Sequence, residues 1–382
     1  MSFTFPQGID SLLAFFPRPV LDQLEIHANP TPVHAAELES CLSFWRERRV
    51  AFVKQSSYHA LYQPGKFPSW ESRAWSSSGH MGALALLADL HADFYVVRQD
   101  EAPETRLWET KYTFCPNPQE RAAERNLWAH ELEEKHGSPT IPSPREIDWG
   151  IYDLVVCIDI PVAAETVARF PNPVWAYYIS EPGMPAHKQS LKEPLFGYDL
   201  FLNHGFRRFR ARPWNRWHVL EFPYSFQSRN AWEKLLAHGG LRDLPRSGVL
   251  VDGPSWDESP PDPGQADRLK GDLKEVLRAM ATHAIAIRTA QFPRWGNWQI
   301  EAVLAGCLFL ADPKPLAQIS GLLPETICSN LAAGLKLAAP LLENPAALEI
   351  LWNKQAEVVE EVSFRRPLVE LTSRVHQLRL SP

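Results

Sequence analysis

The sequence predicts an α/β protein of two domains, each a parallel sheet flanked by helices. Three observations predict it. The chain has 382 residues, enough for two domains of about 100–200 residues each. Short, almost wholly apolar runs such as Tyr152–Ile158 and Val174–Ile179 have the composition of strands buried on both faces of a parallel sheet, and they alternate with helix-patterned segments. Residues 229–246 are polar and carry Gly239-Gly240 and Pro245, which marks a boundary between two such series.

The elements follow in order. Residues 1–48 predict a proline-broken helical extension, with helical spacing over Ile9–Phe16 and Ala35–Arg48. Ala51–Val53 opens a strand, Ser76–Gly79 lies in a polar loop, Met81–His91 is an alanine-rich helix and Asp93–Val97 a strand. Residues 99–147 are polar, with a helix expected over Pro118–His136. Strands are then expected at Tyr152–Ile158, Val174–Ile179, Leu200–Leu202 and His218–Leu220. In the second series Gly248–Val251 is a strand, Asp267–Thr282 an amphipathic helix, Ala284–Ile287 a strand, Trp298–Ala305 a helix and Leu308–Leu310 a strand. Thr326–Cys328 is a last short strand before helices over 330–344 and 346–362. The expected domains are thus 1–48, 49–238 and 239–365, with a C-terminal helix over 366–382 that packs back on the N-terminal domain.

Composition removes several function classes. The formal net charge is −6, which offers no general attraction to nucleic acid or anionic lipid. The cluster Arg207, Arg208, Arg210, Arg212 and Arg216 is a local exception, and such a run is more often a solvated face than a phosphate site. No apolar run approaches the ~18 residues of a membrane span, and the first residues show no basic segment leading into a long apolar core, so no signal peptide is expected. Five scattered cysteines without paired spacing fit a reducing compartment, and a cytoplasmic location is expected. The 34 prolines are dispersed and read as loop punctuation.

The segment order resembles the GT-B glycosyltransferases. Ser78-Gly79-His80-Met81-Gly82, the helix after it and Phe94–Val97 resemble that family's glycine turn, first helix and second strand. Tyr152–Asp159, Val174–Gly183, Gly197–Asn203 and Leu220–Tyr224 resemble successive strands and the crossing into the second domain. The most specific stretch runs from Arg294-Trp295-Gly296-Asn297-Trp298 through Glu301, Ala302 and Gly306 to Asp312. It is similar to the donor-site turn, helix and strand of group-1 glycosyltransferases, especially the spore-maturation-protein-like branch. Leu331–Pro345, Ala346–Val362, Phe364 and Arg365 resemble that branch's tail. The resemblance covers roughly residues 50–370. It implies two Rossmann-like domains facing across a cleft, with acceptor held by the first, nucleotide-sugar donor by the second, and no further cofactor.

Physical chemistry makes sense of the donor stretch. A helix opening near Asn297 offers backbone N–H groups and a positive dipole end to a diphosphate, with Gly296 and Trp298 beside it and Asn297 as a cap. Glu301, about one turn in, can accept hydrogen bonds from paired ribose hydroxyls, the role that the family's glutamate plays. The alternative is a solvated first-turn carboxylate favoured by the dipole. Arg288 and Arg294 are the candidate cations for a phosphate leaving group, against the alternative of surface salt bridges. No convincing Asp-x-Asp motif is present, so no divalent ion is expected.

The base of an inverting reaction belongs at a strand's carboxyl end in the first domain. Asp159, Glu181 and His80 are the candidates. A loop cap or solvated loop residue is the commoner role for any one of them, and one of the three is expected at the site. Trp175 and other tryptophans could stack on a sugar, although core packing is their default.

One departure stands out: many relatives carry a second glutamate earlier in the donor stretch, where this chain has Pro293. Two other readings stay open, a GT-B nucleotide-sugar epimerase and a catalytically inactive scaffold or binding protein on the same fold. The acceptor, whether glycan, lipid-linked sugar, small molecule or protein, is not legible. A nucleic-acid partner is not expected.

Overall fold

Strand runs too apolar to face water on either side dictate a layered structure, and the computed structural model has that form. It describes residues 32–55, 71, 83–97, 143–158, 161–179, 197–203, 219–223, 225–251, 267–268, 273–288, 298–312 and 322–380. These divide into two units. One holds the described residues within His34–Phe226 and Pro367–Pro382, and the other those within Met1–Val33 and Gln227–Arg366.

The first unit opens with α1 (Ala35–Arg46), then β1 (Val50–Gln55), α2 (Leu84–Ala88), β2 (Asp93–Val97), β3 (Leu154–Ile158), α3 (Ala164–Ala168), β4 (Val174–Ile179), β5 (Leu200–Asn203) and β6 (Val219–Glu221). The six strands form one sheet in the order β2-β1-β3-β4-β5-β6, every pair parallel. Every residue of β3 is buried, as its uninterrupted apolar sequence requires of a central strand covered on both faces. Alternation sends Ala51, Val53, Val155, Cys157, Trp175, Tyr177 and Phe201 to one face, where Trp149 and Tyr198 complete the core. The polar ends of these rings are satisfied: Trp149 Nε1 donates to the Pro144 carbonyl at 2.8 Å and Trp175 Nε1 to the Phe170 carbonyl at 2.9 Å. Trp175 is therefore a core residue, 1% exposed.

At the amino ends of these strands charges and hydroxyls are paired. Tyr152 Oη donates to Asp93 Oδ2 at 2.8 Å and lies 2.6 Å from Tyr95 Oη, while Arg49 approaches the same carboxylate at 3.3 Å. Burial and these partners hold the Tyr152 hydroxyl well above the usual phenol range.

The second unit contains α4 (Arg229–His238), β7 (Val249–Val251), β8 (Asp267–Arg268), α5 (Leu273–Thr282), β9 (Ile285–Arg288), α6 (Trp298–Ala305), β10 (Leu308–Ala311), α7 (Leu331–Leu342) and α8 (Pro345–Glu360). Its sheet runs β10-β9-β7-β8, again all parallel, with one further parallel bridge from Ala311 to Ile327. Counted within each unit, both sheets share the order second-first-third-fourth, and the first continues to its fifth and sixth strands. Caps fix the helix starts: Ser228 Oγ accepts from Ala231 N–H at 3.0 Å, Asn330 Oδ1 from Ala333 N–H at 2.8 Å and Asn344 Oδ1 from Ala347 N–H at 3.2 Å. Past α8 the backbone widens into a π-helical turn over Glu361–Arg365 and continues as α9 (Arg366–Leu380). Arg379 of α9 meets Asp153 Oδ1 at 2.5 Å within the first unit.

Two local expectations need correcting. The helix expected over Asp267–Thr282 begins at Leu273, and Asp267–Arg268 is instead a strand paired with Leu250 and Val251. Two polar residues carry little strand propensity, and backbone pairing at the sheet edge overrides them. The strand expected over Thr326–Cys328 is a 3₁₀ turn (Pro324–Thr326) followed by the single bridge at Ile327, because Pro324 favours a turn start.

The outer side of β10 is closed by a side chain. Gln355, 0% exposed, accepts from Phe309 N–H through Oε1 at 2.7 Å and donates from Nε2 to the Phe309 carbonyl at 2.9 Å. One amide thus does for this strand position what a neighbouring strand would do. At the opposite end of α6, Gly306 has φ +108° and Arg246 lies against it, so that an added methyl group would sit 1.0 Å from Nη1. Burial pushes the neighbouring Cys307 thiol up to about 12, against the lowering influence of Arg246. The four described cysteines form no disulfide. Among the described residues no helix is long and apolar enough to cross a membrane.

Candidate functional site

A parallel sheet whose strand order reverses leaves a crevice outside the carboxyl ends of the two strands at the reversal. In the second unit those strands are β7, ending at Val251, and β9, ending at Arg288. Arg288 therefore stands at the switch point, on the end of an otherwise apolar four-residue strand whose every residue is buried. It is 4% exposed, which rules out the surface salt bridge that the sequence left open. Its Nη1 donates to Gln299 Oε1 at 3.0 Å in the first turn of α6.

Helix α6 supplies the second part. Trp298, Gln299, Ile300 and Ala302–Ala305 are all buried, and Glu301 is the one residue of the helix that is partly exposed. An apolar helix can be buried on all sides at little cost, but a carboxylate needs water or hydrogen-bond donors. Glu301 has both, since Gln227 Nε2 donates to its Oε1 at 3.4 Å. It is not a residue standing freely in solvent. Gln299 and Glu301, two positions apart, point to different sides of the helix, so the cation and the carboxylate are each held by a separate neutral amide. Trp298 packs edge-on against Phe309, with ring centroids 5.3 Å apart.

Arg294, Gly296 and Asn297 lie outside the described residues, as do His80, Asp159 and Glu181. In the first unit the reversal falls between β1 and β3, whose last residues are Gln55 and Ile158. Asp159 follows Ile158 directly in the sequence. Sequence reasoning missed the two amides. Gln299 carries a faint signal, a lone polar residue between Trp298 and Ile300. Gln227, 74 positions from its partner, carries none.

No protein-family model matches the sequence, and no curated protein matches it. Among solved structures, the chain is similar to the N-terminal domain of a Candida albicans trehalose-6-phosphate phosphatase, at 10% identity and a TM-score of 0.44, over 86% of this chain and 96% of that one. It is similar to Anabaena Alr3699/HepE, solved with UDP-glucose, at 11% identity and a TM-score of 0.39, over 88% and 100%. It is also similar to an α,α-trehalose 6-phosphate synthase from Burkholderia multivorans, at 9% identity and a TM-score of 0.43, over 87% and 98%. At these scores the likenesses carry no argument about activity, which rests on the geometry above.

Proposed function

We propose that this protein is a glycosyltransferase of the GT-B type and that its second unit holds the nucleotide-sugar donor. The observation that carries this reading is a buried cation at the strand end followed by a gripped carboxylate on the next helix. Arg288 ends the switch-point strand at 4% exposure, and Glu301 is the one partly exposed residue of the helix that follows. A cation held away from water interacts strongly with phosphate oxygens, and a carboxylate accepts well from a pair of ribose hydroxyls.

In the proposed reaction an acceptor hydroxyl oxygen bonds to the anomeric carbon. The bond from that carbon to the phosphate oxygen breaks, and its electron pair leaves with the nucleotide. Negative charge grows on the phosphate as that bond lengthens, so Arg288, fixed in advance by Gln299, stabilises the transition state more than the ground state. The acceptor proton passes to a base, for which Asp159, Glu181 and His80 are the candidates.

A thermal-shift screen of the purified protein against UDP-, GDP-, CMP-, ADP- and TDP-sugars tests the reading. One nucleotide class is expected to raise the melting temperature. Glu301→Ala is expected to weaken that binding roughly tenfold, the worth of a charged hydrogen bond. A rise undiminished in the variant removes Glu301 from the site, and no rise with any donor removes the nucleotide-sugar reading.

A further inference from the structure

Gln227 sits where the chain passes from one unit to the other, and it is completely buried. Its backbone is fixed by Ser363 in the π-helical turn: Gln227 N–H donates to the Ser363 carbonyl at 3.2 Å, and Ser363 Oγ donates to the Gln227 carbonyl at 2.8 Å. Its side chain lies between Trp232, likewise 0% exposed, and Glu301, with Trp232 Nε1 donating to Gln227 Oε1 and Gln227 Nε2 facing Glu301 Oε1.

The polarity of this row follows from chemistry. An indole nitrogen can only donate, so the amide must turn its oxygen to Trp232. Its NH₂ is then forced toward the carboxylate, where it donates. Were the amide reversed, two acceptors would face each other at Glu301 and two donors at Trp232. The indole N–H thus selects the amide orientation that holds Glu301 in place.

We propose that Gln227, locked by Trp232, is a positioning residue that presents the Glu301 carboxylate to the ribose hydroxyls of the donor nucleotide. The proposal rests on the donor-site reading above and deepens it. It makes a ribose-specific prediction, because an oriented carboxylate matters only to a ligand that has hydroxyls to offer it.

The test is isothermal titration of the full-length protein with UDP, GDP and ADP and with their 2′,3′-dideoxy counterparts. Gln227→Leu is expected to lower affinity for the bound ribonucleotide roughly tenfold, on the scale of one hydrogen bond to a charge, and to change dideoxynucleotide affinity by less than about twofold. Trp232→Phe keeps an aromatic ring at this buried position but removes the N–H along with part of the indole, and it is expected to give the same selective loss if Gln227→Leu fails to fold. An equal loss for ribo and dideoxy forms, or no loss in the folded variant, overturns the positioning role while leaving the donor site standing. Failure of the unaltered protein to bind any of the three ribonucleotides, with no rise in the melting temperature from CMP- or TDP-sugars either, overturns both.

Discussion

Replacing Gln355 with methionine is expected to lower the stability of the second unit by about 2–6 kcal/mol, among the largest single-residue losses available in this fold. Methionine approximates the volume of glutamine, so the change isolates the polar contribution. It strips both hydrogen-bond partners from Phe309, whose N–H and carbonyl meet the Gln355 amide at 2.7 and 2.9 Å. Phe309 is 0% exposed, and each buried group left without a partner costs about 1–3 kcal/mol. The contact to Thr326 Oγ1 at 3.4 Å goes as well. Thermal unfolding is expected to show a transition lowered by roughly 10 °C, at ~2–4 °C per kcal/mol for domains of this size. A shift of a degree or two would mean that Phe309 is satisfied some other way.

Arg288→Met is expected to show the opposite balance: little change in stability and a large change in binding. A guanidinium at 4% exposure carries a heavy desolvation cost, and a straight apolar side chain of similar length removes that cost. The Gln299 oxygen loses one donor at 3.0 Å, a penalty of about 1–3 kcal/mol that the relief of desolvation offsets. A nucleoside diphosphate loses its buried cation, and its affinity is expected to fall about a hundredfold, the upper range for a charge-assisted contact. The parent nucleoside, which carries no phosphate, is expected to bind as before. Titration with each ligand checks this, and an equal loss for nucleoside and diphosphate would place Arg288 away from the phosphates.

These two residues also show what the sequence makes legible. The strands were readable wherever burial on both faces leaves no polar position, as in Leu154–Ile158 and Ile285–Ile287, because local composition alone then dictates the element. The two-residue strand Asp267–Arg268 was not, since its state comes from pairing with Leu250 and Val251 and from nothing in its own side chains. At the site, Arg288 and Glu301 stood out as charges bordering apolar runs. Their amide partners did not. Gln227 acquires its meaning only when folding brings it to Glu301, 74 positions away, and Gln355 when it reaches Phe309 across 46. Neutral amides hydrogen-bond equally well in loops, helices and cores, so their type says nothing of their place until the long-range contact is known.

The proposed nucleotide-sugar site lies at the carboxyl ends of β7 and β9 in the second unit. Hydrogen–deuterium exchange, with the protein saturated by each nucleotide-sugar in turn, tests it most directly. One donor is expected to slow exchange in the segment spanning Ile285–Arg288 and Trp298–Ala305 and to leave the amino ends of β1 and β3 unchanged. Slowing centred on those amino ends would place the nucleotide-sugar there instead, and slowing of no segment with any donor would rule out the site.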